Sequence, residues 1–520
     1  MLSIACGKRV LQGGLAISLT LSLYGCGGGS ANSAKTPAAS GSQAQQSDIA
    51  ITASQPGVTP FVASVQLSGT SVNDVTSVSF TIAAMPNAVS SPVSVNWGRA
   101  ALSSRGYLQN SLMNLPVFGL YAGYQNQVTY ELTFTDGSVQ QLQNQISTTS
   151  YTDPTGIYLN PTIVKARTPG SSLGFNFFIL KSAVGSPVIV DTDGQVRWVV
   201  PGVSNSTSSY FEYGKFLIGS QTNSSFIELQ FDGTQTALPV QLPQPLLTSF
   251  THNIDPSPNG VLAEFSGTDD LGTNELDIVA DVSPSVSQPP VQIFDMADIL
   301  TKYMEANGDD ASAFVRPGVD WFHVNASTYD PSDSTVIVSS RENFLIKINY
   351  ETQQIVWIFG DPTKYWYTFP SLRAKAITLA PGGDYPIGQH AVSITSDGYI
   401  MVMNDGYGSI NQPAGEPSGI TRSYSEVSAY SINTAAMTAQ QVWGFNYGQS
   451  IYSEVCGSSY EASGNTFLVD FAAADNLTAA RLIGLDSNHN VVFDFQYDSP
   501  TVCGAAWNAI PIPLESLQIE

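Results

Sequence analysis

Charged residues, and cations above all, are scarce in this 520-residue chain. Asp, Glu, Lys and Arg make up 12% of it, against about 25% in an average soluble protein. The 19 Lys and Arg face 42 Asp and Glu, which gives a net charge of −23. So acidic a chain has no general attraction for nucleic acid or anionic lipid, and we expect no nucleic-acid partner. The 42% of hydrophobic residues excludes a mostly disordered protein.

Long apolar runs are also lacking, except near the N-terminus. Lys8 and Arg9 precede the mostly apolar run Val10 to Tyr24, which ends at Gly25-Cys26. The run is short for a membrane span but typical of the core of a signal peptide. We predict that residues 1–25 are a lipoprotein signal and that Cys26 takes the lipid. An ordinary secretory signal remains the alternative.

The segment 26–47 is rich in Gly, Ser, Ala and Gln, and this composition predicts a flexible tether. Gly27 is not the Asp that often retains lipoproteins at the inner membrane. We therefore expect an exported, periplasmic protein, anchored through its lipid to the outer membrane. Its one membrane contact would be this anchor.

Cysteine is rare as well, with four in the chain. Cys6 would leave with the signal, and Cys26 would carry the lipid. Cys456 and Cys503 then form one candidate pair in an oxidising compartment. We predict a disulfide bond between them, with two buried thiols as the alternative.

What the chain has in abundance is Gly, Thr, Ser, Val and Tyr, which favour strands and turns. Between residues 48 and 155, polar and apolar residues alternate in short runs such as Val78 to Ile82 and Val128 to Phe134. Asp136-Gly137 is a turn signal after the second run. This pattern predicts a small N-terminal β-sandwich domain without a chemical site.

The region 156–520 repeats a loose hairpin pattern, in which an apolar strand, a polar turn and a second strand ending in an aromatic residue follow one another. The clearest copy runs from Val188 to Trp198. Six copies can be anchored on Asp191, Gln230, Asp281, Asn349, Asn433 and Asp486. Six repeats with variable insertions predict an all-β fold, a six-bladed β-propeller that follows the sandwich. An irregular sandwich or a β-helix is the alternative.

Three of the four histidines share one position in this repeat. His252, His323 and His390 each precede an apolar strand that is entered through a Gly, Asp or Asn turn. If the repeats are blades, these histidines lie on the inner strands of consecutive blades and converge near the central channel. Each could instead be a locally hydrogen-bonded structural histidine. His489 lies in a hairpin turn and carries no such signal.

Converging histidines could bind a metal or act as acid, base or nucleophile. Arg341 ends the strand that follows His323, so we place it beside the same channel. A fixed guanidinium repels a metal cation but binds sulfate or phosphate oxygens, and Asn325 would add an amide donor. We therefore predict no metal and a site for an oxyanion ester. A surface ion pair is the alternative for Arg341.

At these residues the chain resembles the bacterial aryl-sulfate sulfotransferases, which need no nucleotide sulfate donor. The block from Asp320 to Gly360, which includes His323-Val324-Asn325 and Ser339-Ser340-Arg341, carries most of the resemblance. Gln389-His390 with Asp397-Gly398 is a second block, and Thr251-His252-Asn253 is a third. The sandwich followed by a propeller fits the two-domain plan of that family.

The resemblance implies transfer of a sulfuryl group from a phenolic sulfate to another phenol, without a cofactor. His390 matches the nucleophile of the family and would form a sulfohistidine. Arg341, His323 and the substrate-binding Asn325 would stabilise the sulfuryl oxygens, and His252 would assist or exchange a proton. Aromatic residues in an insertion, Trp366, Tyr367 and Phe369, are candidates for stacking on the aryl ring, with core packing as the alternative.

Two other functions stay open at this point. The propeller could be a non-catalytic module that binds an anion or a partner, or a metal-dependent hydrolase or lyase that uses the three histidines. The sequence also leaves open which phenols would be used and whether the chain forms a homodimer.

Overall fold

The computed structural model describes residues 47–221, 225–241, 247–268, 274–284, 289–316 and 318–520. The predicted signal, its lipidation site Cys26 and nearly all of the predicted tether lie outside these ranges. Strands dominate the described chain, and they form small sheets of four or five strands.

The N-terminal domain is a sandwich of two sheets. Its strands are β1 (Ala50–Pro56), β2 (Val62–Ser68), β3 (Val75–Ile82), β4 (Val93–Gly98), β5 (Leu108–Gln109), β6 (Leu112–Phe118), β7 (Gln125–Phe134) and β8 (Val139–Ser147). One sheet has the order β1-β2-β6-β5, and the other contains β4-β3-β7-β8. In β7, exposed or half-buried residues alternate with buried ones, because successive side chains of a strand point to opposite faces. The period-two pattern thus gives the sandwich its core.

The rest of the chain supplies the strands of a second body. These are β9 (Thr162–Lys165), β10 (Phe177–Lys181), β11 (Val188–Asp191), β12 (Val196–Trp198), β13 (Ser209–Glu212), β14 (Lys215–Gly219), β15 (Ser225–Gln230), β16 (Gln235–Pro239), β17 (Leu247–Ser257), β18 (Gly260–Thr268), β19 (Asn274–Val282), β20 (Gln292–Asp295), β21 (Val324–Asp330), β22 (Thr335–Ser340), β23 (Leu345–Asn349), β24 (Ile355–Phe359), β25 (Thr378–Leu379), β26 (Gln389–Ile394), β27 (Ile400–Asn404), β28 (Glu426–Asn433), β29 (Thr438–Phe445), β30 (Ser458–Ala462), β31 (Thr466–Ala473), β32 (Ala479–Leu485), β33 (Val491–Asp498) and β34 (Asn508–Ile512).

These strands form six blades, which confirms the predicted propeller. Blade 1 is β34-β10-β11-β12, blade 2 is β13 to β16, blade 3 is β17 to β20, and blade 4 is β21 to β24. Blade 5 is β26 to β29 with β25 at its edge, and blade 6 is β30 to β33 with β9 at its edge. The inner strands β34, β30, β26, β21, β17 and β13 follow one another around the centre. Blade 1 takes its inner strand from the end of the chain, so the ring is closed by pairing β34 with β10.

The hairpin repeats of the sequence are the third and fourth strands of the blades. The copy from Val188 to Trp198 is β11 and β12, joined by a turn in which Gly194 has a φ of 83°. The other five copies fall on the same strand pair of the other five blades. The repeat that the sequence shows thus marks the outer half of each blade.

Helices are few and short. They are α1 (Arg99–Ser104), α2 (Met296–Ala306) and α3 (Pro370–Arg373), with 3₁₀ turns at Thr70–Asp74, Ala311–Ala313, Tyr365–Thr368 and Tyr447–Gln449. A further turn, Ala474–Leu477, contains left-handed residues. Within the described ranges, no helix is long and apolar enough to cross a bilayer.

The C-terminus departs from the predicted division of the chain. We expected the propeller to continue to residue 520, but the last strand, β35 (Leu517–Ile519), pairs in parallel with β4 of the sandwich. Leu517 and Ile519 are buried there, so their apolar side chains hold the end of the chain in the other domain. The boundary near residue 155 falls between β8 and β9 and stays a prediction.

A buried arginine ties the two domains together. The guanidinium of Arg197 donates to the carbonyl oxygen of Gly119 at 2.7 and 3.1 Å and pairs with Asp191 at 3.0 Å. It also lies over the ring of Tyr121, 3.7 Å from its centroid. Since a buried charge needs such complete pairing, this contact fixes the sandwich against blade 1.

Candidate functional site

The three predicted histidines lie at the inner strands of blades 3, 4 and 5. His252 is within β17, His323 directly precedes β21, and His390 is the second residue of β26. At or beside each histidine, the register between the inner strand and its neighbour shifts. Such bulges redirect side chains, which explains how histidines at different points of three strands meet.

The histidine rings lie close to one another. The ring centroids of His252 and His323 are 5.1 Å apart. Burial lowers the pKa of His252 well below its ordinary value, and the charges of His323 and His390 lower it further. His252 is therefore a neutral ring, and its Nδ1 has no hydrogen-bond partner among the described residues.

The hydrogen bonds of His390 define its tautomer. Its Nδ1 lies 2.8 Å from the carbonyl oxygen of Gly388, so Nδ1 carries the proton and donates it. Its Nε2 then holds the lone pair, which accepts the backbone N–H of Cys456 at 3.3 Å. Burial, and then the positive charge of Arg341, lower the pKa of His390 to about 3. His390 is therefore neutral in mildly acidic and neutral solution.

His323 has a carboxylate partner that sequence reasoning did not single out. Its Nδ1 lies 2.5 Å from Oδ2 of Asp320, three residues earlier. His323 has a φ of 51°, which turns the chain so that both side chains reach each other before β21 begins. The carboxylate orients the ring and leaves Nε2 for other contacts.

Arg341 follows β22 and lies inside the protein beside His390. It is 5% exposed, and its backbone N–H donates to the carbonyl oxygen of His323 at 3.1 Å. Its guanidinium pairs with Glu342 at 3.0 Å and with Asp405 at 3.4 Å. These ion pairs are buried, so the alternative of a surface pair does not apply.

Asp405 links the arginine to the histidine, and sequence reasoning missed it. One carboxylate oxygen lies 3.4 Å from the guanidinium of Arg341 and 3.8 Å from Nδ1 of His390. Burial raises the pKa of Asp405 well above its ordinary value, and Arg341 acts in the opposite direction. The one sign of this role in the sequence is that a charged residue directly follows the apolar strand β27.

Glu342 is the second carboxylate that the sequence did not reveal. It is fully buried, and it accepts the backbone N–H groups of Ile410 and Asn411 at 2.8 and 2.9 Å. With the hydroxyl of Ser409 and the guanidinium of Arg341 as further partners, this carboxylate is well satisfied. It holds the guanidinium in place through this ion pair.

Asn325 is buried and supports the strand that bears His390. Its side-chain N–H donates to the carbonyl oxygen of Gln389 at 2.8 Å. Its Oδ1 has no hydrogen-bond partner in the described part of the chain. One of its two amide protons is thus used to hold β26, and the other is available for a ligand.

Trp366, Tyr367 and Phe369 belong to an apolar core cluster, which favours the alternative of core packing over stacking on an aryl group. Trp366 is 1% exposed and packs in an apolar cluster with Phe344, so this insertion fills a core. Trp507, directly before β34, lies 5.4 Å from the ring of His252. Tyr407 lies under Arg341, with the guanidinium carbon 5.6 Å from its ring. These two rings thus lie next to residues of the histidine site, which makes them candidates for contact with an aryl group.

Cys456 and Cys503 form the predicted disulfide bond, which excludes the alternative of two buried thiols. The bond connects the segment before β30 to the segment before β34. Among the described residues, no group of three or more His, Cys, Asp and Glu is arranged to hold a metal ion. His489 lies elsewhere, stacked on Trp443 in an outer hairpin.

Together these residues form a buried cluster of definite chemistry. A neutral imidazole has a nitrogen with a lone pair, a guanidinium fixed by two carboxylates lies near it, and the neighbouring side chains include an amide and two further imidazoles. Such a cluster suits an anion that reacts with a nitrogen nucleophile.

Comparisons with known proteins agree with this chemistry. The family model "Arylsulfotransferase (ASST)" matches residues 162–507, which is more than half of the chain. The model "Arylsulfotransferase Ig-like domain" matches residues 51–152, which contain β2 to β8. The two models thus cover the propeller and the sandwich in turn.

Individual relatives match over shorter stretches. The arylsulfate sulfotransferase AssT of Escherichia coli O6:H1 is 32% identical over 171 residues, 29% of this chain and 28% of that protein. The protein of that name from Lelliottia amnigena is 29% identical over 154 residues, 26% of this chain and 25% of that protein. The matched stretch thus spans about a quarter of each of these relatives.

Among solved structures, the β-propeller domain of Cps50 (Swd1) from Myceliophteria thermophila is 12% identical, with a TM-score of 0.34. It covers 64% of this chain and 88% of that domain. The fold assignment therefore rests on the strand topology described above. On the extent of the family match, this chain belongs to the arylsulfotransferase family.

Proposed function

We propose that the protein is an aryl-sulfate sulfotransferase, a transferase of sulfur-containing groups that works by a ping-pong mechanism. A phenolic sulfate ester would donate its sulfuryl group to His390, and a second phenol would collect it. The observation that carries this proposal is the state of His390, a buried neutral ring whose Nδ1 is bonded to the carbonyl oxygen of Gly388, so that Nε2 is the nitrogen with the lone pair.

The first step is the attack of His390 Nε2 on sulfur. The N–S bond forms while the bond between sulfur and the phenolic oxygen breaks, and the electron pair of that bond leaves with the phenolate. Positive charge develops on the ring, and its Nδ1–H already donates to the carbonyl oxygen of Gly388 at 2.8 Å. The low pKa of His390 keeps protons from competing for the lone pair.

Charge on the three sulfuryl oxygens must be stabilised during both transfers. Arg341 is the best placed donor, because Glu342 and Asp405 hold its guanidinium and its position requires no reorganisation. The free amide proton of Asn325 and the ring of His323 are further donors. These groups would act on the donor ester and on the sulfohistidine alike.

Protons must be exchanged with the phenolic oxygens. The leaving phenolate gains a proton, and the acceptor phenol loses one before it attacks sulfur and restores His390. His323 is suited to exchange that proton, since Asp320 at 2.5 Å orients its ring and leaves Nε2 for the phenolic oxygen. His252 is neutral, and its ring centroid lies 5.1 Å from that of His323. It would form a hydrogen bond with the phenolic oxygen or pass the proton on.

An assay with 4-nitrophenyl sulfate tests this function. Release of yellow nitrophenolate that depends on an added phenol supports the transferase, and product analysis should find the sulfate ester of that phenol. Loss of release with EDTA would instead indicate a metal-dependent hydrolase, and no release from any aryl sulfate would indicate a binding protein.

A pair of variants tests the nucleophile. His390→Ala should abolish turnover and the mass increase of a sulfohistidine. His489→Ala, which removes the histidine of the outer hairpin, should retain both. Normal turnover by His390→Ala would refute the assignment.

We also propose that the protein is exported and held by a lipid on Cys26 at the periplasmic face of the outer membrane. The Cys456–Cys503 disulfide bond supports an oxidising compartment. Cys26→Ser should move the protein from the membrane fraction to the soluble fraction. Membrane retention of that variant would refute the lipid anchor.

A further inference from the structure

The disulfide bond joins two segments that both border the histidine site. Cys456 lies just before β30, the inner strand of blade 6, and Cys503 lies before β34, the inner strand that closes blade 1. The bond therefore crosses the seam at which the propeller ring closes. It is buried, together with Ala472 and Ala473.

Each of the two segments contributes one contact to the histidines. The backbone N–H of Cys456 donates to Nε2 of His390 at 3.3 Å. Trp507, four residues after Cys503, packs against the disulfide bond and lies 5.4 Å from the ring of His252. The N–H of Gly457 donates to the carbonyl oxygen of Trp507 at 3.4 Å and joins the segments again.

The backbone of Cys456 has an uncommon conformation. Its φ is 61°, and that of Cys503 is 55°, both in the left-handed region that residues with a side chain seldom adopt. Gly457 follows with a φ of 92°, and a Cβ there would lie 2.5 Å from the carbonyl oxygen of Asp470. Such a turn persists only where its surroundings determine it, and the covalent link to Cys503 is one of these constraints.

The amide of Cys456 points at the atom that reacts. Nε2 is the lone-pair nitrogen of His390, because Nδ1 is the donor to Gly388. Formation of the N–S bond takes the lone pair of Nε2, so the amide loses this acceptor. A sulfuryl oxygen carried by Nε2 would lie beside the same N–H and become its new acceptor, the arrangement of a backbone donor in an oxyanion hole.

We propose that the Cys456–Cys503 disulfide bond completes the sulfuryl site by holding the Cys456 N–H at Nε2 of His390, where it donates to a sulfuryl oxygen during transfer. The proposal rests on the function proposed above. The amide keeps its proton and changes only its acceptor, from Nε2 to sulfuryl oxygen. The disulfide bond is neither formed nor broken in the cycle, and Cys503 acts as a positioning residue.

The test compares the oxidised protein with protein whose disulfide bond has been reduced by a phosphine and with the double variant Cys456→Ala/Cys503→Ala. Single-turnover sulfurylation of His390 by 4-nitrophenyl sulfate is followed by nitrophenolate release and by mass. Loss of one preorganised donor lowers a rate by about 100-fold or more. Since the amide remains in the chain but is less well held, we expect a decrease of about 10- to 100-fold.

The concentration dependence separates this role from a general structural one. The amide would act mainly on the transferring group, so the rate should fall while the KM changes by less than about threefold. Circular dichroism and the unfolding temperature show that each sample is folded at the assay temperature. If the double variant does not fold, the reduced and reoxidised wild type gives the same comparison, and reoxidation should restore the rate.

A spectroscopic signal reports on the amide itself. In ¹⁵N-labelled oxidised protein, the Cys456 amide resonance should shift when His390 is sulfurylated. Equal sulfurylation rates of oxidised and reduced folded protein, or an unchanged Cys456 resonance, would overturn the proposal while leaving the transferase function intact. Absence of any sulfohistidine in the oxidised protein would overturn both.

Discussion

Replacing His390 with Asn should remove part of the sensitivity of this protein to mild acid. Burial and the charge of Arg341 lower the pKa of His390 from 6.5 to about 3. As the pH falls below 6.5, the unfolded chain gains a proton at this residue, while the folded protein gains none until about pH 3. The stabilisation from a neutral His390 is therefore complete above pH 6.5 and is lost as the pH falls.

The size of this effect follows from the pKa difference. Each unit of pH between the two pKa values changes the free energy of unfolding by about 1.4 kcal/mol. Between pH 6.5 and about pH 4.5, the wild type should therefore lose about 2.7 kcal/mol because of His390 alone. Folded proteins are typically stable by about 5–15 kcal/mol, so this loss is a large part of the total. Urea titrations resolve a change of this size.

Urea unfolding at about pH 7.5 and about pH 4.5 measures the effect in the wild type and in His390→Asn. Asn keeps a polar side chain of similar reach but cannot titrate. His252 has a lowered pKa as well, but burial is the main cause and acts in both proteins, so its contribution largely cancels in the difference. If the two proteins lose the same free energy between these pH values, His390 is protonated in the folded state and the reasoning on its neutral lone pair fails.

Three further substitutions test the neighbours of the histidines. Asp405→Asn should lower kcat by about 10-fold in the nitrophenolate assay, since the guanidinium of Arg341 loses a buried ionic partner. The control is Asp281→Asn, which changes a buried carboxylate in an outer hairpin and should leave kcat unchanged. Asp320→Asn should lower kcat by about 10-fold, because the ring of His323 loses the carboxylate that orients it; an unchanged kcat would contradict this. Trp507→Ala should raise the KM for aryl sulfates by about 5-fold, the worth of one aromatic contact, with kcat nearly unchanged; Trp443→Ala is the matched control, and equal KM values for the two variants would exclude stacking on Trp507.

The architecture was predictable because it depends on local patterns. The hairpin from Val188 to Trp198 shows its two strands and its turn within eleven residues, and five weaker copies follow it. Ring closure was not predictable, because β34 pairs with β10 across more than 300 residues. The same holds for Leu517–Ile519, whose alternating apolar residues suit either domain.

The site was predictable only where residues repeat with the blades. His252, His323 and His390 share a position in the repeat, so their convergence followed from the predicted fold. Asp405 and the amide of Cys456 reach His390 from turns whose geometry no pattern encodes. Trp507 reaches the site because β34, the strand that follows it, completes blade 1 next to blade 6. This contact also depends on the topology.

An acidic chain could bind an anionic substrate because the repulsion by its exposed carboxylates and the attraction by Arg341 act at different places and over different distances. Exposed carboxylates repel an anion only within about 8 Å in physiological salt, beyond which solvent screens them. Arg341 acts at short range in a buried pocket, where a charge interaction is several times stronger than in water. Glu342 does not cancel it completely, since this carboxylate also accepts the backbone N–H groups of Ile410 and Asn411. A sulfate ester, the substrate that we propose, would thus meet a guanidinium whose positive charge is only partly neutralised, and it would be held once it entered the channel.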